Sequence, residues 1–224
     1  MATISVGKDG YVVCEAGKGA NNHAAVRGAS TGTLVNHTAA SYSSAVMYLG
    51  DRQYVIIRSF FFFDTSGISS AVASVTLNMR GSTYSSADVI AIKSTAFGGD
   101  GGTALATSDF YAEIDYSTPY SSELTTWTSV DNNNEYTLNA AALADIKNND
   151  HFTLALVDHD SDYANSEPGG SSYAADVNVK LATTITLDYT VVSGYANTVK
   201  GVASANIGKV NGVATASISK VNGI

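Results

Sequence analysis

The chain has 224 residues, of which 45% are hydrophobic and only 14% charged, so its surface must be built from hydroxyls and amides more than from charge. A net charge of −8 leaves no basic field for a phosphate backbone and excludes nucleic-acid binding as a leading function. The single cysteine, Cys14, excludes an intrachain disulfide, and no run approaches the 18 apolar residues of a membrane-spanning helix. The opening residues Met1 to Lys8 lack a charged n-region and an apolar h-region, which predicts synthesis in a cytoplasm without general secretory export.

In chain order, Cys14 between Val13 and Glu15 reads as a small, partly buried strand residue. Tyr54 to Phe63 (YVIIRSFFFF) is apolar on both faces and predicts a central strand of a sandwich, or one whose outer face meets another subunit. Arg58, inside that run, needs a partner or an escape to solvent. Val75, Leu77 and Met79 alternate with Ser74, Thr76, Asn78 and Arg80, the period of a half-buried strand. Phe152, Leu154 and Leu156 predict another strand, ending at Asp158, and Leu181 to Val191 carries the clearest alternation of all.

Turn-rich clusters separate these segments at Gly98–Gly102, Asp131–Asn134 and Ser166–Ser171. Only Asn139 to Lys147 (NAAALADIK) reads as a helix, with Asn139 as its cap. Many short strands, regular turns and one short helix predict an all-β fold, a jelly-roll β-sandwich over residues 1–193.

Residues 194–224 form a different unit. Lys209-Val210-Asn211-Gly212-Val213 returns as Lys220-Val221-Asn222-Gly223-Ile224, eleven residues on, and Ile207 returns as Ile218. β-branched residues and a glycine in each copy work against a helix, whereas Asn-Gly favours a tight turn between short strands. Each copy has about three apolar side chains, too few to offset a backbone ordering cost of about 1–2 kcal/mol per residue, so it must lie on something else. The tail carries +3 (Lys200, Lys209, Lys220, no acid) while the whole chain carries −8, so the first 193 residues carry −11. That opposition suits docking on the body, on a neighbouring copy or on another acidic surface, and makes Ile207, Lys209, Val210, Val213, Ile218, Lys220, Val221 and Ile224 the expected assembly residues.

The densest polar cluster is Asp158-His159-Asp160-Ser161-Asp162, with Glu167 beyond it. D-x-D-x-D spacing can present Asp158, Asp160 and Asp162 to Ca²⁺, but Tyr163 stands where an EF-hand has its glycine and the Glu comes too early; a solvated loop at a strand end is the commoner reading. His23, His37, His151 and His159 make no H-x-x-x-H or H-E-x-x-H spacing. No G-x-S-x-G elbow occurs, and Glu113, Asp115 and Glu123 read as loop solvation as easily as a glycosidase pair, so a non-enzymatic role is expected. Trp127, Tyr111, Tyr116, Tyr120, Tyr163 and Tyr173 could stack on sugar rings if they shared an exposed face, though aromatics in a sandwich are more often core or interface residues.

The run Arg58 to Ile68 (RSFFFFDTSGI), followed by Ala73 to Met79 (ASVTLNM), resembles the core of DNRLRE-like jelly-roll domains, which are similar to carbohydrate-binding modules and recur in phage virion proteins. The resemblance covers roughly residues 10–191, with Ser69 where the family usually has Pro; the K-V-N-G-V phrase resembles short C-terminal repeats of phage structural proteins. What it implies is a virion surface protein, a capsid decoration or cement protein or a short fibre. Its partners would be copies of itself, with a trimer favoured, or another virion protein. The alternatives are a carbohydrate-binding module or adhesin that grips a cell-surface glycan, and a self-assembling extracellular filament.

Overall fold

The computed structural model describes residues 1–15, 22–37, 41–48, 54–86, 88–127, 133–168, 173–180, 185–192, 209–210 and 213–214. In chain order the elements are β1 (Ala2–Ser5), β2 (Lys8–Glu15), α1 (His23–Arg27), β3 (Leu34–Asn36), β4 (Ser41–Tyr48), β5 (Tyr54–Asp64), β6 (Val72–Ser86) and β7 (Val89–Ser94). There follow a 3-10 turn (Thr107–Phe110), β8 (Ile114–Pro119), β9 (Asn133–Thr137), α2 (Ala140–Asn148), β10 (His151–Asp158) and a π-helical turn (His159–Tyr163). The chain continues through β11 (Tyr173–Lys180), β12 (Thr186–Val191), β13 (Lys209–Val210) and β14 (Val213–Ala214).

These elements make an all-β sandwich with antiparallel pairing throughout the described ladders. One layer runs β1-β12-β6-β9. The other is centred on β5, which pairs with β2 along one edge and with β10 and β4 along the other. From there it extends through β7 and β8 on one side and β11 on the other. Strand β6 is 15 residues long and belongs to both layers: its first half pairs with β12 and β9, its second half with β11.

The alternating residues of β6 do what their period dictates, Val75, Leu77 and Met79 facing inward. They meet Phe61 and Phe63 of β5, Leu154 and Leu156 of β10, Ile185 and Leu187, and α2 through Ala142 and Ile146 in one core. Helix α2 starts where its cap places it: the Asn139 side chain accepts from Ala141 N and Ala142 N.

The β5 layer is buried on its other face too. Ile56 and Phe60, Ile90 and Ile92 of β7, and Ala155 and Val157 of β10 form a second core with Val12 and Cys14, closed over by Val26 of α1 and by Phe97, Leu105, Phe110 and Ile114. This resolves the two readings of YVIIRSFFFF in favour of a central strand covered on both faces by its own chain. In the register Ala155 sits between Phe60 and Ile92, a small residue flanked by two large ones.

Two expectations are adjusted and one lies partly outside the described residues. The segment 131–134 is not all turn: Asn134 lies in β9 opposite Met79 and is buried. The last body strand is described from Thr186, with Leu181 to Thr184 outside the described residues. A second α-helix, α1, escaped the sequence reading because five residues hold too few turns for a 3.6 period; its visible signal is Asn22, whose side chain accepts from Ala25 N. No helix among the described residues is long and apolar enough to cross a membrane.

Candidate functional site

The polar chemistry concentrates where β10 ends. Burial of Arg58 in the second core demands that its five N–H donors be used, and four of them are. Nε donates to Asp162 Oδ2 (2.7 Å), Nη2 to Asp162 Oδ1 (2.8 Å) and to Arg27 O (2.9 Å), and Nη1 to Phe110 O (2.5 Å). The guanidinium also stacks on the Phe110 ring, 3.9 Å from its centre. Asp162 is fully buried and accepts a further bond from the Tyr116 hydroxyl (2.9 Å), while Arg27 donates to its backbone carbonyl and lies over the Tyr116 ring. Burial holds the Tyr116 hydroxyl far above the ordinary phenol range. Two cations and one carboxylate thus tie α1, β5, β8 and the π-helical turn together.

The turn itself is held by Asp158, whose Oδ1 accepts from Ser161 N (2.7 Å) and Asp162 N (3.2 Å). Burial pushes its carboxyl up to about 8, and its Oδ2 is enclosed without a hydrogen bond. Of the three carboxylates spaced D-x-D-x-D, Asp162 is therefore taken by Arg58, Asp158 caps its own turn, and Asp160 alone faces outward. The structure does not gather the three.

It gathers a different set. Asp88, Glu123, His159 and Asp160 bring one ligand-type atom each within 4.8 Å of one another. His159 Nδ1 lies 3.0 Å from Asp160 Oδ1, 3.5 Å from Glu123 Oε2 and 3.6 Å from Asp88 Oδ1. Two backbone bonds, His159 N to Asp88 O (3.0 Å) and Leu124 N to Val89 O (2.8 Å), and one from Asp160 N to the Asp88 side chain at Oδ2 (3.2 Å) fix these segments. Burial is the main cause that raises the Asp88 carboxyl from its ordinary value, with Asp160 and Glu123 adding to it. Sequence reading reached His159 and Asp160 through their neighbours. Asp88 and Glu123 come from segments distant in sequence that the Val89–Leu124 bridge brings side by side, and no local spacing could have shown that they meet.

The aromatics do not form an open platform among the described residues. Trp127 and Tyr120 are core residues, Tyr111, Tyr116 and Tyr163 are half-buried, and the exposed large hydrophobics are Met1, Leu34 and Val191. Tyr173 lies in β11, whose side chains are outside the description. A cavity of about 190 Å³ is lined by Lys93, Tyr120 and Asp145 among others, and Asp145 is already paired with both Lys93 (2.7 Å) and the Tyr120 hydroxyl (2.5 Å). Glu113 accepts from Thr95, and Asp115 from Ser117 and Thr118.

In the tail, Lys209 pairs with Ala214 and Val210 with Val213, an antiparallel pair of two-residue strands that brackets Asn211-Gly212. Asn211, Gly212, Ile207, Ile218, Lys220, Val221 and Ile224 lie outside the described residues.

No protein-family model and no curated protein matches the chain.

Proposed function

We propose that this chain is a non-enzymatic structural protein of a phage particle surface, with the sandwich turned outward and residues 194–224 serving as its assembly or anchoring device. The observation that carries the reading is the tail: an eleven-residue phrase said twice, with β13 and β14 paired on either side of its first Asn-Gly. A short hairpin with so few apolar residues gains stability only by adding to other strands or to copies of itself, which is how repeated strand units assemble. The +3 tail against a −11 body supplies attraction between subunits. The body supports the role by its construction, a sandwich filled on both faces of its central layer and poor in surface charge. Inward-turned Trp127 and Tyr120 favour this reading over a glycan-stacking module.

The test is the mass in solution, by light scattering, of the full chain beside a full-length Val210→Asp/Val221→Asp variant. The proposal expects a discrete oligomer, a trimer, for the first and a folded monomer for the second. A monomeric parent chain, or an oligomer that the two substitutions leave intact, would overturn it.

A further inference from the structure

We propose that Asp88, Glu123, His159 and Asp160 form a binding site for one divalent first-row cation of the zinc type. The inference stands apart from the proposed function, since it rests on the corner after β10 and not on the tail.

Three carboxylates around one imidazole nitrogen are a cation site only if something besides their charge points to a ligand, and Asp88 provides it. Its side chain is 9% exposed, yet Oδ1 is enclosed without a hydrogen bond, while Oδ2 is occupied by Asp160 N. That division leaves Oδ1 facing His159 Nδ1 at 3.6 Å. A buried carboxylate oxygen without a donor carries the full cost of its lost hydration, which a bound cation removes.

The spacing selects the kind of cation. Ligands about 2.0–2.2 Å from a tetrahedral ion stand about 3.3 Å from one another. The three distances from His159 Nδ1, at 3.0, 3.5 and 3.6 Å, scatter about that edge length. An imidazole among carboxylates suits zinc and its neighbours, whereas calcium prefers six to eight oxygens. The frame is prepared in advance: the Asp158 cap, the Arg58–Asp162 pair and the Val89–Leu124 bridge hold the three segments, and the His159 ring stacks on Tyr163. A cation there would cross-link the start of β7, the loop at Glu123 and the turn after β10.

The experiment uses the full untagged chain, stripped with EDTA and titrated by calorimetry with ZnCl₂ and, in parallel, CaCl₂; thermal unfolding and the visible spectrum of the Co²⁺-loaded protein follow. One zinc per chain is expected, with a raised Tm, no comparable response to calcium and the intense visible absorption of tetrahedral cobalt. Asp88→Asn should weaken zinc binding by more than about 100-fold, because even outer-shell partners are worth about 10–100-fold. Glu123→Gln, at a partly exposed position, should weaken it too and decides the matter if the Asp88 variant folds poorly. Absence of zinc binding, as expected if His159 simply holds a proton among its carboxylates, would overturn the site. So would a preference for calcium, or variants that bind zinc like the parent chain.

Discussion

Strand β5 offers Phe61 and Phe63 to one core and Ile56, Arg58 and Phe60 to the other, and the two faces are held by different physics. The first face is apolar, filled by β6, β10, β12 and α2, so its stability depends on volume. The second carries a fully buried ion pair whose donors reach α1, the 3-10 turn and the turn after β10, so its stability depends on geometry and satisfaction. The comparison teaches where each tolerates change: the first should forgive a swap of similar size, the second should not forgive a swap of similar charge.

The largest effect is expected from breaking the pair on one side. Arg58→Met takes the two-pronged partner from buried Asp162, leaving it to Arg27 at 3.5 Å and the Tyr116 hydroxyl, and should cost about 3–5 kcal/mol in urea unfolding. Arg58→Lys keeps the charge but loses the two-pronged contact with Asp162, and should recover only part of that loss. On the apolar face, Leu154→Ala should cost about 2–5 kcal/mol by opening a cavity, while Leu154→Met should cost less than about 1.5 kcal/mol. If the lysine variant proves as mild as the methionine one, the distinction between the faces fails. At the margin of the first core, Asn139→Ala removes the α2 cap and should cost about 1 kcal/mol, read as a lowered urea midpoint at unchanged slope.

The smallest effect concerns pH on the second face. His23 of α1 is buried against Tyr54, and burial is the main cause that lowers its pKa below the ordinary value. The unfolded chain therefore binds a proton that the folded chain resists, so this group's contribution is present above about pH 6.5 and is lost as the pH falls below it. A His23→Gln variant should show a shallower loss of Tm between pH 7 and pH 5 than the parent chain. An identical slope would remove His23 from the account.

The sequence told more about the apolar face than about the other. Val75, Leu77 and Met79, and Phe152, Leu154 and Leu156, announce their burial by alternation, because period 2 is a local property of the backbone. Asn139 likewise announces α2 locally. Arg58 could be read only as a residue in need of a partner, since Asp162 lies 104 positions away and nothing in its own neighbourhood marks it as that partner. The D-x-D-x-D run drew attention to the right turn, yet burial of Asp158 and Asp162 divided the carboxylates among different tasks. The cluster that did form takes Asp88 and Glu123 from loops that only the folded sheet brings together. Repetition in the tail was legible because it is written in the sequence itself, and the β13–β14 pair falls on its first copy.

The central claim is that Arg58 and Asp162 act as one unit that locks the turn after β10, and with it the corner where Asp88, His159 and Asp160 meet. A double-mutant cycle with Arg58→Met, Asp162→Leu and the combination, measured by urea unfolding, tests it most directly. Each single change should be severe and the double change milder than their sum, with a coupling at the upper end of about 0.5–3 kcal/mol. Additive losses would contradict the account, because they would mean that the two side chains stabilise the protein independently.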